Sequence, residues 1–242
     1  MDYNSIILCG FLRDPHIWGK GCWTLKSDRP VSPSVISRLP RYYRLLGRLR
    51  EQSVTRVSSR ELSEMMKSTA SQIRQDLNCF GGFGQQGYGY NVELLREQIA
   101  SILGLGHAVP AILVGAGNLG RTIANQVDFS GSGFRLVAAF DRQPGIVGTR
   151  IGETQVMDIS RLEEVCRAKQ PKMAVICVPR QAAGSLAGRL IDLGIQGFWN
   201  FSSYDLSVEH ENVAVVNMHL WDSLMTLSYY MSHREESPGA GE

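Results

Sequence analysis

From residue 32 onward the chain alternates short apolar stripes with polar faces, and the spacing of the stripes names the elements. Ser32-Pro33 can open a helix, because proline suits the first helical position. Ile36, Leu39, Tyr43 and Leu46 then recur at three- and four-residue spacing, while Arg41, Arg44 and Arg48 fall on another face. Pro40 inside this pattern predicts a kink or a restart. A second helix is expected after Ser58, where Glu61 completes a capping-box pattern ahead of Leu62, Met65 and Met66. After a break at Ser68-Thr69, a third helix should run from Ala70 to about Cys79, with Ile73 and Leu77 inward. Gln72, Arg74 and Gln75 lie off that inward line. Residues 81–91, GGFGQQGYGYN, hold five glycines, with Tyr88 and Tyr90 alternating with glycine, and predict a short β-ribbon. Helix, helix-turn-helix, then ribbon is the order of a winged helix-turn-helix. Asn91 should cap a connecting helix through Val92, Leu95, Ile99 and Leu103.

A different rhythm starts at Pro110. Residues 111–120, AILVGAGNLG, read as an apolar strand running into a glycine turn and a helix. Further strands are expected at 135–141, 172–179 and 195–201, with helical patterns at 162–168 and 182–193 between them. Strands alternating with helices imply a Rossmann-like, doubly wound parallel sheet covered on both faces. Residues 213–216 suggest a last strand. The stretch from Leu220 to Tyr230 is apolar around most of its circumference, so such a helix must bury itself, either on its own domain or against a second subunit. The division is therefore a leader at 1–30, a winged-helix domain at 31–108, a Rossmann domain at 109–217, a C-terminal helix at 218–234 and a disordered tail at 235–242.

Composition alters this picture in a few places. The net charge is only +2, yet residues 31–90 carry nine Lys/Arg against four Asp/Glu, and residues 91–242 carry twelve against sixteen. A basic front on an acidic back is either an electrostatic footprint for phosphate or an ordinary solvated helix surface. Cys9, Cys22, Cys79, Cys166 and Cys177 are odd in number and widely spaced, which argues against a disulfide framework and fits a reducing compartment. The five histidines are scattered, so no metal site is expected. No apolar stretch is long enough to span a bilayer, and the apolar run at 5–12 lacks the flanks of a signal peptide. A cytoplasmic protein with a poorly ordered or mis-started leader is the expectation.

The chemistry concentrates at two places. Gly115, Ala116, Gly117, Asn118, Leu119 and Gly120 form a glycine turn that directly follows a strand and opens a helix, and Asp141 ends the next strand 21 residues past Gly120. Glycines let the backbone approach a pyrophosphate, and a helix N-terminus offers N–H groups and partial positive charge. The acid suits ribose hydroxyls and disfavours a 2′-phosphate, which points to NAD(H), although Arg142 is adjacent. Val178-Pro179 and Asn200-Phe201 end two other strands at the same side of such a sheet and would suit a nicotinamide ring. No catalytic set accompanies them. In the third helix, Arg74 can reach a base edge or a phosphate, and Gln72 and Gln75 can reach bases.

These residues carry a resemblance to the Rex family of redox-sensing transcriptional repressors. The matching segments are SRLPRYYRLL (37–46), RVSSRELSEMM (56–66), IRQDLNCFGGFGQQGYGYNVELL (73–95), ILVGAGNLG (112–120), AAFD (138–141), VPRQAA (178–183) and IQGFWNF (195–201). They keep the family's order and cover about residues 32–230, and the run from the third helix into the wing is very specific. The resemblance implies a homodimer that binds palindromic operator DNA, with Arg41, Ser71, Gln72, Arg74, Gln75, Gln85, Gln86 and Tyr88 at the DNA. It implies that NADH closes the dimer and releases the DNA, that NAD⁺ competes weakly, and that the C-terminal helix is exchanged between subunits. It also implies regulation of genes for fermentation and anaerobic respiration.

Three departures from the family stand out. Gln85 and Gln86 replace basic wing residues. Arg44 is implied to pair across the dimer with an acid near the start of the last helix, where this chain has His219. Ser203 replaces a proline after Asn-Phe-Ser. Two rival readings remain: a small NAD-dependent oxidoreductase with a regulatory N-terminal domain, and a repressor answering to another nucleotide such as coenzyme A.

Overall fold

The computed structural model describes residues 31–80, 84, 85 and 88–233. The leader, the residues at 81–83, Gln86 and the tail lie outside the described residues, and Gln85 is placed by its backbone alone. The chain divides into two units. One runs to Ala108 and takes in Ser130–Gly133; the other comprises Val109–Phe129 and the chain from Phe134 onward.

The first unit begins with α1 (Pro33–Glu51), which has proline in its first turn. Of the kink or restart expected at Pro40, the restart does not occur: the helix runs through it. Proline removes one backbone hydrogen bond, and the continuous buried stripe of Val35, Leu39, Tyr42, Leu45, Leu46 and Leu49 carries the helix past it. Leu39 and Leu46 are buried as expected, Ile36 and Tyr43 pack at the edge of the core, and Tyr42 is the tyrosine that is fully buried. Strand β1 (Arg56–Val57) follows, then α2 (Ser59–Met66) and α3 (Ala70–Asn78). The capping box at α2 is formed, with Glu61 N donating to Ser58 Oγ at 3.1 Å and Ser58 N to Glu61 Oε2 at 2.7 Å. Lys67 turns the chain in a left-handed conformation, and Thr69 caps α3 through Gln72 N at 3.1 Å. Strands β2 (Gly84–Gln85) and β3 (Gly89–Asn91) pair antiparallel, and β3 pairs with β1 on its other side. Asn91 then caps α4 (Val92–Ile102) through Leu94 N at 3.0 Å. Leu62, Ile73, Leu77, Leu95 and Ile99 join the α1 stripe in one core. This is a winged helix-turn-helix whose β1, too short to read from sequence, completes the wing's sheet.

The second unit is built on β4 (Val109–Val114), α5 (Asn118–Gln126), β5 (Phe134–Asp141), β6 (Arg150–Ile151), β7 (Thr154–Asp158), α6 (Leu162–Lys169), β8 (Met173–Ile176), α7 (Arg180–Asp192), β9 (Gly197–Asn200), α8 (Leu206–Glu209), β10 (Ala214–Asn217) and α9 (Leu220–Ser232). The sheet order is β10-β9-β8-β4-β5-β7-β6, parallel throughout except for the β6–β7 hairpin. Alternation along β4 divides the core: Ile112 and Val114 face α6 and α7, while Ala111 and Leu113 face the side of α5. The chain passes from β4 to β5 on one side and returns to β8 on the other. The switch in direction falls between β4 and β8, where a parallel sheet opens a crevice beyond its strand ends.

The last helix differs from everything else. Leu220, Trp221, Leu224, Met225, Leu227, Tyr229, Tyr230 and Met231 are all exposed, and α9 buries no residue. Packing on its own domain, one of the two expected fates, is not what the chain adopts.

Candidate functional site

The crevice between β4 and β8 is shaped by three glycines with different roles. Gly115 takes φ +96°, in the left-handed region, and a Cβ there would meet the Cys177 carbonyl oxygen at 2.4 Å. At Gly120 a Cβ would lie 1.9 Å from the Gly115 carbonyl oxygen, so α5 can approach the strand only without a side chain there. Gly117 is the N-cap of α5, and a Cβ there would meet nothing within 4 Å. Space is therefore left open at the start of α5, where no side chain caps the first-turn N–H groups. Such a cradle suits a diphosphate.

Asp141 stands beside the cradle at the end of β5. Its Oδ2 accepts from Ala116 N at 2.7 Å and its Oδ1 from Gln143 N at 2.9 Å. A carboxylate has about four acceptor sites, so two remain for hydroxyl groups of a ribose. Arg142 next to it is exposed. Sequence reading missed Arg121, in the second turn of α5. It donates Nε to the Ala116 carbonyl at 3.1 Å and a second nitrogen to the Thr149 hydroxyl, tying the glycine turn to the loop after β5.

At the far side of the crevice, Val178 is half-buried, and exposed Pro179 is the N-cap of α7. Phe201 is half-buried, with the Trp199 ring edge against it at a centroid distance of 4.8 Å. Val178 packs against the core on the α6 and α7 side of the sheet, and Phe201 against the core on the α5 side. Asn200 corrects an expectation. It is fully buried, and its Nδ2 donates to the Tyr204 carbonyl at 2.6 Å and to Asn217 Oδ1 at 2.8 Å. Its Oδ1 accepts from Ser202 N at 3.0 Å and Ser202 Oγ at 2.7 Å. With every polar atom engaged, this side chain braces the ends of β9 and β10 and offers nothing to a ligand. Asn217 continues the network to Asp205 Oδ1 at 2.7 Å. Bonds from Ser207 and Asn217, with His219 nearby, hold the Asp205 carboxyl below its usual range. His219 is the N-cap residue of α9.

Thiol chemistry finds no support in this crevice. Burial pushes the Cys177 thiol up to about 12 and also raises Cys166, which disfavours the reactive thiolate. Among the described residues the cysteines are free, and no group of side chains could hold a metal ion. No described helix is long and apolar enough to cross a membrane.

The winged-helix unit presents α3 outward. Ser71, Arg74, Gln75 and Asn78 are exposed along it, with Cys79 at its end. Arg74 donates to Ser59 Oγ at 3.2 Å, linking α3 to the start of α2. Gln72 is half-buried, and its Nε2 donates to Asp76. Arg41, expected at DNA, donates Nη2 to the Met66 carbonyl at 2.7 Å and so satisfies the end of α2. Tyr88 projects from the wing with 70% of its surface exposed, and Arg56 steadies it by donating to its carbonyl at 3.0 Å. Arg44 is exposed on α1 beside Arg48 and Arg96.

Comparison with known proteins agrees with both halves. Residues 30–78 match the family model described as "Putative DNA-binding protein N-terminus", and residues 108–204 match the "CoA binding domain" model. The redox-sensing transcriptional repressor Rex of Clostridioides difficile is 48% identical over 204 residues, covering 84% of this chain and 97% of that protein. Rex of Caldanaerobacter subterraneus is 49% identical over 205 residues, covering 85% and 91%. The chain belongs to the Rex family. Its fold carries the same message: the crystal structure of RSP with β-NAD⁺ and operator DNA superposes with a TM-score of 0.79 at 48% identity, covering 86% of this chain and 95% of that one. RSP with β-NADH gives a TM-score of 0.77 at 46% identity, covering 85% and 96%. A Rex-family chain is a transcriptional repressor and not an enzyme.

Proposed function

We propose that this chain is a homodimeric repressor that holds palindromic operator DNA through its winged helices and lets go when NADH occupies the crevice. The observation that carries the reading is the open cradle at Gly117 beside Asp141, on a chain whose other unit is a winged helix-turn-helix. Gly115–Gly120 would hold the pyrophosphate, and the free acceptor sites of Asp141 the adenosine ribose. Val178, Pro179 and Phe201 would face the nicotinamide. Apolar neighbours favour the neutral reduced ring over the cationic oxidised one, and such a difference is what a sensor needs to shift a population.

On the DNA side, Ser71, Arg74 and Gln75 would meet the major groove, with Gln72 held by Asp76 alongside them. Tyr88 and the glutamines of the wing, Gln85 and Gln86, would meet the adjoining backbone or minor groove. The all-exposed apolar α9 supports a dimer in which this helix is exchanged. Arg44 and His219 would then meet across subunits, with imidazole in place of a carboxylate. A cytoplasmic site of action and control of fermentation and anaerobic respiration genes follow from the same reading.

Asp141→Ala tests the crevice directly. Calorimetry of the full-length chain should show NADH affinity reduced about tenfold or more, the loss of roughly one or two good hydrogen bonds, with operator affinity unchanged. Equal NADH affinity in wild type and variant removes Asp141 from the site. The match of residues 108–204 to a coenzyme A domain makes coenzyme A the proper competitor. Tighter binding of coenzyme A than of NADH would reassign the ligand.

A further inference from the structure

Helix α3 carries a buried carboxylate. Asp76 has no exposed surface, and its two oxygens accept four hydrogen bonds. Arg38 of α1 donates Nε to Oδ2 and Nη2 to Oδ1, each at 2.7 Å. The Tyr42 hydroxyl donates to Oδ2 at 2.9 Å. Gln72, one turn earlier on α3, donates Nε2 to Oδ1 at 2.7 Å. These four bonds saturate a carboxylate. Only the carboxylate side of this ion pair is buried, and such a pair is weak as a stabilising device, since well-packed apolar groups often do as well. Its presence inside a helix-turn-helix asks for a role in placing something.

Gln72 is what it places. An ionised carboxylate only accepts, so the amide nitrogen of Gln72, not its carbonyl, must face Asp76. Carbonyl Oε1 and one N–H are left for the surface, and the rotation of the amide is settled before any DNA arrives. Burial acts to raise the Asp76 carboxyl, but bonds from Arg38, Gln72 and Tyr42 outweigh it and hold the group below the usual range. Asp76 is therefore ionised at neutral pH and keeps this polarity.

We propose that Asp76, clamped by Arg38 and Tyr42, is a positioning residue for base recognition: it fixes the Gln72 side chain so that Oε1 meets an exocyclic amino group in the major groove. The proposal rests on the reading of α3 as the DNA-contacting helix. It separates α3 into a pre-set reader at part-buried Gln72 and readers at Arg74 and Gln75, which are exposed.

The test is a panel of palindromic duplexes from the protein's own promoter region, each with one base pair changed symmetrically in both half-sites. Full-length wild type, Gln72→Ala, Asp76→Asn and the double variant are titrated at fixed salt, with thermal melts as a folding control. Gln72→Ala should lose about tenfold discrimination at one base-pair position, the size of one good base contact. Asp76→Asn should lose discrimination at that same position, and the double variant should lose no more than either single one. Affinity for random DNA and for NADH should stay within about twofold.

Should Asp76→Asn melt the domain, Arg38→Lys, which keeps the charge but not the two-pronged contact, is read in the same way. Asp76→Asn that weakens all duplexes equally, or adds fully to Gln72→Ala, makes the carboxylate a simple brace and ends the proposal. Gln72→Ala without effect at any position ends it too, by removing Gln72 as a reader. Arg74→Ala on the same panel then shows independently whether α3 is at the DNA.

Discussion

Gly120 and Asp76 mark the two limits of what single residues disclosed. Gly120 was legible as a tight-packing position because three glycines follow a strand and open a helix, and the structure supplies the reason: its missing Cβ makes room for the Gly115 carbonyl. Gly120→Ala is expected to abolish measurable NADH binding and lower the melting temperature of the domain, since backbone cannot give way as a side chain can; calorimetry and a thermal scan check both. Asp76 was illegible because an acid on an amphipathic helix reads as solvent-facing, and only the fold brings Arg38 and Tyr42 to it across 38 and 34 residues. Asn200 misled in the opposite direction: a polar residue at a strand end suggests a ligand, yet its four bonds hold the chain together.

The Asp76 cluster also has a pH signature. Its folded carboxyl is depressed, so its contribution is complete above the unfolded value of about 4 and is lost as pH falls from there through the folded value. Denaturant melts of the wild type should show stability falling on the acid side of pH 5. Asp76→Asn should flatten that limb while lowering stability at neutral pH, because Arg38 and Tyr42 lose the charge they bond.

Among elements, α9 is the one on which the proposed dimer rests. Sequence showed that it is apolar nearly all round, and two fates were open; it buries no residue in the single chain, and the proposed dimer would cover it with another copy. Leu227→Glu should convert dimer to monomer in sedimentation and weaken operator binding at least tenfold, since two linked half-site contacts become independent. A dimer that survives the change places the interface elsewhere. Short elements were the hardest to read. Thr154–Asp158 and Arg150–Ile151 form an outer hairpin of the sheet but offer too few apolar residues to show a period. The restart that was one expectation at Pro40 is absent for the reverse reason: the buried stripe of α1 outweighs one missing hydrogen bond.

For the whole molecule, the uneven charge is compatible with the proposed DNA binding and equally with an ordinary solvated surface. Nine basic residues against four acidic in residues 31–90 belong to the winged-helix unit, and acidic residues outnumber basic ones in the remainder. Operator affinity should accordingly fall steeply with salt. Arg74→Ala should lower operator affinity by about 1–3 kcal/mol without altering NADH binding, measured by parallel titrations.

The central claim is that the reduced and oxidised cofactors are told apart and that the difference reaches the DNA. Fluorescence anisotropy of a labelled palindromic duplex from the protein's own promoter region, at fixed salt, tests it in one experiment. NADH should release the duplex at concentrations where NAD⁺ leaves it bound. Tight DNA binding indifferent to both nucleotides, or equal release by both, would contradict the redox switch and leave only the repressor.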